Sequence, residues 1–241
     1  MYNCLMKWNP WHGCRKYSEG CLNCYVYRID SRHGKDSSLI LKNKDFDLPL
    51  KKSRSGNFKI PSGETVYTCF SSDFFLQEAD QWRDEAWRMI KFRSDLHFFM
   101  TTKRILRLPD MFPPDWQDGY PNVTIACTVE NQKRADERLP VYLELPIKNK
   151  ILICEPLLTE LDLAPYLTPQ ILEVVAGGES GSNARPARFE WFLKLSAQCK
   201  KAKVPFKFKQ TGANFIKDGK LYKIPRNLQH IQAQKANIDF Y

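Results

Sequence analysis

The sequence predicts an α/β protein whose parallel strands form a partial, open barrel of the (β/α)6 type. Three observations carry that expectation. From about residue 60 onward, short apolar, β-branched or aromatic runs are each followed by a polar cluster and a helix-like stretch, the rhythm of βα units feeding a parallel sheet. Seven runs read as strands, at residues 3–8, 65–70, 96–101, 122–128, 150–154, 172–176 and 204–208. Six or seven units fall short of the eight that close a full barrel, which puts an open barrel first and a doubly wound sheet second. The third observation is how the runs end: Ser71-Ser72-Asp73, Thr102-Lys103-Arg104, Glu130-Asn131-Gln132, Glu155, Glu179-Ser180 and Lys209-Gln210. In such folds these ends share one face, where ligands are held.

The first strand, 3–8, runs into a loop punctuated by Pro10, Gly13 and Gly20 that carries three cysteines. Residues 31–61 then break the pattern. They hold Lys35, Lys42, Lys44, Lys51, Lys52, Arg54 and Lys59 among Ser, Gly and Asn, and read as a basic insertion after the first helix. Beyond Asp73 comes the clearest helix, in which Phe75, Ala79, Trp82, Ala86, Met89 and Ile90 recur three or four residues apart to make one apolar stripe. A further helix is expected over about 186–203, opened by Pro186 and carrying Phe189, Phe192, Leu195 and Cys199. From Lys200 to the end, ten Lys/Arg face only Asp218 and Asp239, and residues 210–241 read as a basic C-terminal extension. No repeat and no composition break divides the chain, so a single domain over 1–241 is expected.

With 241 residues, 43% of them hydrophobic, the chain is long enough to bury a core without staples. A disulfide-dependent miniprotein is excluded. No run approaches 18 apolar residues, and the N-terminus lacks the basic, apolar and small-residue pattern of a signal peptide, so a cytoplasmic protein without membrane association is expected. The 37 Lys+Arg against 27 Asp+Glu leave a formal charge of +10, interleaved with aromatic residues such as Phe206, Phe208, Phe215 and Tyr222. That pattern suits a nucleic acid or nucleotide partner, and equally an ordinary basic protein.

Eight cysteines in a reducing compartment point to metal binding or burial rather than disulfides. Their placement separates the two cases. Cys4, Cys69, Cys127, Cys154 and Cys199 are scattered through apolar runs and read as small hydrophobes. Cys14, Cys21 and Cys24 crowd into eleven residues of a glycine-punctuated loop, where packing gives them no purpose. Their C-x6-C-x2-C spacing suits three ligands of a [4Fe–4S] cluster with one iron open, or, with His12 or His33, a tetrahedral zinc site. Structural zinc usually takes paired two-ligand knuckles, and only Cys21-x-x-Cys24 has that form. A cluster with an open iron is what S-adenosylmethionine chemistry requires, so iron–sulfur stands first and zinc second.

Trp8-Asn9-Pro10, Gly13-Cys14, Ser18, Gly20-Cys21 and Cys24-Tyr25 open a series of motifs that continues through Thr101-Thr102-Lys103-Arg104, Val129-Glu130-Asn131 and Cys154-Glu155-Pro156-Leu157-Leu158. Gly177-Gly178-Glu179-Ser180-Gly181, Ala184-Arg185-Pro186 and Phe208-Lys209-Gln210 complete it. In this order they resemble a phage-associated family of unknown function with a three-cysteine motif, the phage gene-product 37/68 family, over nearly the whole chain. That family is in turn similar to radical S-adenosylmethionine enzymes, whose fold is a partial (β/α)6 barrel and whose usual spacing is C-x3-C-x2-C. The resemblance implies a radical enzyme: a [4Fe–4S] cluster on Cys14, Cys21 and Cys24 cleaves S-adenosylmethionine to a 5′-deoxyadenosyl radical, with an external one-electron reductant. Ser71, Asp73, Lys103, Glu130, Asn131, Glu155, Gly177, Gly178 and Glu179 are then expected to hold the cofactor, and Arg104, Arg185 and Lys209 to line the same mouth with positive charge. The rival expectation is a zinc-stabilised nucleic-acid-binding module without radical chemistry, acting through its basic segments.

Overall fold

The computed structural model describes residues 6–241. Cys4 and the first half of the strand expected at 3–8 lie outside them. Along the chain come β1 (Met6–Trp8), β2 (Trp11–His12), α1 (Tyr25–Arg32), β3 (Leu41–Lys42), β4 (Thr65–Thr68), α2 (Asp80–Phe92), β5 (His97–Thr102), β6 (Val123–Thr128) and α3 (Gln132–Glu144). Then follow β7 (Asn149–Cys154), β8 (Ile171–Gly177), β9 (Ala187–Arg188), α4 (Phe189–Ala202), β10 (Phe206–Gln210), β11 (Asn214–Lys217), β12 (Lys220–Lys223) and α5 (Gln229–Lys235). Seven strands form one sheet in the order β1-β4-β5-β6-β7-β8-β10. That order rises steadily along the chain and never reverses, as it must at the switch point of a doubly wound sheet. It is a singly wound α/β sheet with β1 and β10 at its ends, the topology of a partial, open barrel.

The strands form on short runs rich in β-branched and aromatic residues, with burial alternating along β4, β5, β7 and β10 and continuous only along β6. All six residues of β6 are buried. The β1–β4, β4–β5, β7–β8 and β8–β10 pairings are parallel. Residue contacts divide the chain into two compact units, one of residues 1–16, 26–126 and 145–149, the other of 17–25, 127–144 and 150–241.

In the first unit, α2 starts at Asp80, so Phe75 and Ala79 of the expected stripe are buried ahead of the helix; within it Ala86, Met89 and Ile90 are buried together with Trp87 and Arg83, and Trp82 is half-buried. The aromatic rings Trp11, Phe74, Phe75 and Trp87 pack at centroid distances of 4.9 to 6.4 Å. The basic insertion is not loose. Phe46 and Ile60 are buried within it, Trp8 Nε1 donates to the Phe46 carbonyl at 2.9 Å, and Arg93 donates to the carbonyls of Pro49 at 2.5 Å and Ile60 at 2.8 Å.

In the second unit, α4 begins at Phe189 rather than Pro186, because Ala187 and Arg188 form β9, which pairs in parallel with β11. A small sheet β12-β11-β9 results. Its hairpin turns at Asp218 and Gly219, both at positive φ, the backbone that a tight type I′ connection demands. The C-terminal extension is built structure: its Phe240 exchanges backbone hydrogen bonds with Phe206 at 2.7 and 2.9 Å and covers part of the edge of β10. No helix among the described residues is long and apolar enough to cross a membrane.

Candidate functional site

In the first unit, Cys14 follows β2 in a segment fixed from several sides. Gly13 sits at φ +88°, and a Cβ there would meet the Leu39 carbonyl oxygen at 2.3 Å, so only glycine fits. The Cys14 amide donates to the Ser37 carbonyl at 2.8 Å, the Tyr27 hydroxyl to the Cys14 carbonyl, and the Ser72 hydroxyl to the Gly13 carbonyl. Arg104, just past β5, donates from Nη2 to the Arg15 carbonyl at 2.7 Å and brings Nη1 to 4.0 Å from Cys14 Sγ. Its charge is balanced by Asp73 at 3.0 Å, with both side chains buried. Asp73 also accepts from Thr102 Oγ1 at 2.8 Å and from the Phe75 amide at 3.0 Å.

In the second unit, Cys21 and Cys24 lie on the short loop between Ser18 and Tyr25. Glu130, at the end of β6 and fully buried, accepts from the Ser18 hydroxyl and, at 3.3 Å, from the Gly20 amide. Its other oxygen takes Arg138 Nη1 of α3 at 2.8 Å, and that guanidinium also donates to the Thr128 carbonyl at 2.6 Å. A Cβ on Gly20 would stand 3.1 Å from the Glu130 carboxylate, which is why the loop passes there on a glycine. On the other side of the loop, Glu179 past β8 accepts from Asn23 Nδ2 at 3.0 Å and from Arg185 through its amide at 2.8 Å, Nε at 2.9 Å and Nη2 at 2.5 Å. Burial pushes the Glu179 carboxyl up, yet the Arg185 guanidinium and amide and Asn23 outweigh it, so the group lies below its ordinary value.

The remaining expected cofactor residues divide sharply. Asn131 bonds the Arg134 amide at 3.0 Å and Glu19 at 3.4 Å; Glu155 is engaged by Lys209 at 2.6 Å and by Gln210. The space beside the glycine pair is filled by the chain itself: a Cβ on Gly178 would meet the Thr211 carbonyl oxygen at 2.2 Å, and one on Gly177 would meet Glu155 Oε1 at 3.0 Å. These glycines let two strand ends pack. Ser71 differs, because its Oγ is buried with no hydrogen-bond partner. Lys103 is half-buried, and only its backbone amide bonds Asp73, at 3.3 Å.

Cysteine environments separate as expected. Cys69, Cys127, Cys154 and Cys199 are buried, whereas Cys14, Cys21 and Cys24 are partly exposed, and none of the seven forms a disulfide. Burial holds the thiols of Cys69 and Cys154 well above the usual range and pushes Cys199 up to about 12, so these remain protonated filler. Among the described residues no three His, Cys, Asp or Glu side chains meet as ligands of one metal ion. His12 is bonded to buried Asp30 at 2.8 Å, and His33 is exposed. Three partly exposed thiols with no disulfide are a soft donor set that fits iron–sulfur chemistry. Thiolates of a four-iron cluster bind separate irons and stand farther apart than ligands sharing one ion.

Fold and site together define a singly wound α/β protein whose strand ends hold cysteine-bearing segments. The chain belongs to the family described as protein of unknown function (DUF5131), whose model matches residues 3–237. No curated protein and no solved structure matches it.

Proposed function

We propose that the chain is a radical S-adenosylmethionine enzyme in which Cys14, Cys21 and Cys24 hold a [4Fe–4S] cluster. The observation that carries this reading is the division of the thiols: among the described cysteines, these three are the ones kept partly open, on glycine-shaped segments bonded to strand-end residues. When bound, the cluster supplies reductive cleavage of S-adenosylmethionine, fed by an external one-electron reductant. The protein's share is to bind and orient. Ser71 Oγ, buried and without a partner, is suited to a cofactor hydroxyl, and the Lys103 ammonium to a carboxylate. The Arg104 guanidinium keeps positive charge beside the Cys14 sulfur.

Zinc is the less favoured metal. Structural zinc usually takes paired two-ligand knuckles, and only Cys21-x-x-Cys24 has that form. Nucleic acid or a nucleotide is the proposed substrate class, on the strength of the cationic C-terminal segment.

Protein purified without oxygen should contain iron and acid-labile sulfide, and adding S-adenosylmethionine should change the spin-resonance spectrum of the reduced cluster. Ser71→Ala and Lys103→Gln should each weaken that response, the lysine variant by roughly tenfold as a charge-assisted hydrogen bond is lost, with iron content unchanged. One zinc and no iron would replace this reading with the zinc-stabilised nucleic-acid-binding module.

A further inference from the structure

We propose that three buried acids with their arginine partners, Asp73–Arg104, Glu130–Arg138 and Glu179–Arg185, are positioning residues that each fix one thiol segment before any metal arrives. Their separations are 3.0, 2.8 and 2.5 Å, and the three acids are 5%, 0% and 6% exposed. Each pair reaches a different cysteine. Arg104 bonds the carbonyl next to Cys14. Glu130 bonds Ser18 and the Gly20 amide, immediately before Cys21. Glu179 bonds Asn23, immediately before Cys24.

Charge and occupancy together argue for this role over direct contact with a ligand. A buried carboxylate is tolerable only when paired and hydrogen-bonded, and each acid here already has a guanidinium, to which the loop adds donors at Glu130 and Glu179, and Thr102 and the Phe75 amide add theirs at Asp73. Recruiting Glu130 or Glu179 to a ligand would mean stripping those bonds. A preformed loop, in turn, does not have to be ordered when its metal binds, so the ordering cost is met in folding instead. The pairs explain why acids end these strands and why Gly20 faces Glu130.

The test removes the loop's side of two contacts, leaving Glu130–Arg138 and Glu179–Arg185 intact, and at the third site, where the loop offers only a backbone carbonyl, it changes Arg104 itself. In the full-length apo protein, the alkylation rate of each thiol by a maleimide is read by peptide mass, for wild type, Ser18→Ala, Ser18→Thr, Asn23→Ala and Arg104→Lys. Ser18→Ala should accelerate Cys21 by about fivefold for one lost hydrogen bond, and Asn23→Ala and Arg104→Lys should accelerate Cys24 and Cys14 by at least as much, because Asn23 also donates to the Asn183 carbonyl at 2.8 Å and Arg104 bonds both Asp73 and the Arg15 carbonyl. Ser18→Thr, which keeps the hydroxyl, should restore the wild-type rate. A merely structural role predicts a different pattern, in which the buried thiols of Cys127 and Cys154 speed up together with the rest. That pattern, or unchanged rates at Cys21 and Cys24, overturns the proposal. The proposal rests on the metal-site reading only for its purpose. Selective acceleration in a protein that never takes up iron would uphold the positioning role and remove the cluster alone.

Discussion

A cysteine's environment decides whether it is a ligand or part of the core. Cys154 and Cys199 are 0% exposed, so removing either sulfur leaves a small void, worth about 1 kcal/mol. Cys154→Ala and Cys199→Ala should therefore lower the melting temperature by a few degrees while iron content stays at the wild-type level. Cys14→Ala, Cys21→Ala and Cys24→Ala should do the reverse, losing iron without a matching loss of stability; iron retained by all three would place the metal elsewhere. What the sequence shows of these thiols is their clustering and glycine punctuation, and the fold adds that they are partly exposed. The acids behind them were legible as strand ends but not in their partners. Arg138 sits inside α3 on a face that reads as an ordinary charged helix, and nothing in its spacing announces a fully buried guanidinium paired with Glu130. Ser71 stood out only as one polar residue among three at a strand end, until its hydroxyl proved to be buried without a partner.

Among the elements, the basic insertion is the one most changed by being folded. Lysines among Ser, Gly and Asn hide the few residues that anchor it, Phe46, Pro49 and Ile60, and the anchor itself is Arg93, more than thirty residues away from the last of them. Asp95 keeps that guanidinium in place through two bonds of 2.8 Å, and Arg93 in return, with help from Ser62, holds the Asp95 carboxyl well below its ordinary value. The sign of the pH effect follows. A depressed folded value means that the contact stabilises fully above the unfolded pKa near 3.8 and fades as pH falls through the folded one. Cleavage of residues 45–61 by pepsin should thus stay slow near pH 4 and accelerate as the medium becomes more acid. Asp95→Asn should release the same segment to trypsin at neutral pH, and equal protection in that variant would mean that Arg93 needs no carboxylate. The strands after residue 60, by contrast, were readable, since each is written as a short run rich in apolar, β-branched or aromatic residues, down to the alternation of Phe206 and Phe208 with exposed lysines in β10. The three-stranded sheet escaped because Pro186 imitates a helix start, although Asp218-Gly219 between Asn214–Lys217 and Lys220–Lys223 was a hairpin signal available in the sequence.

For the molecule as a whole, the +10 charge matters less than where it is already neutralised. Lys42 pairs with Glu85 at 3.0 Å, and Lys51 pairs with Asp45 and Asp47 at 2.8 and 3.2 Å, so part of the insertion's charge is balanced within the fold. Among the described residues, the ten Lys/Arg from Lys200 onward form one ion pair, Lys209 with Glu155. The β11–β12 hairpin carries Lys217, Lys220 and Lys223, with the Lys220 ammonium 5.3 Å from the ring centroid of exposed Tyr222 and that of Lys217 at 5.2 Å from Phe189, a combination of cations and aromatic rings that suits single-stranded nucleic acid. If nucleic acid is the substrate, affinity should fall linearly with salt on a log–log plot. Changing these three lysines to Gln should reduce the slope by about 2, at about 0.7 per phosphate contact on a single strand. Lys42→Gln with Lys51→Gln should leave the slope unchanged, because those cations already have carboxylate partners. A slope that drops equally in both variants would show that net charge alone drives binding, and a flat salt response in the wild type would remove nucleic acid as the partner.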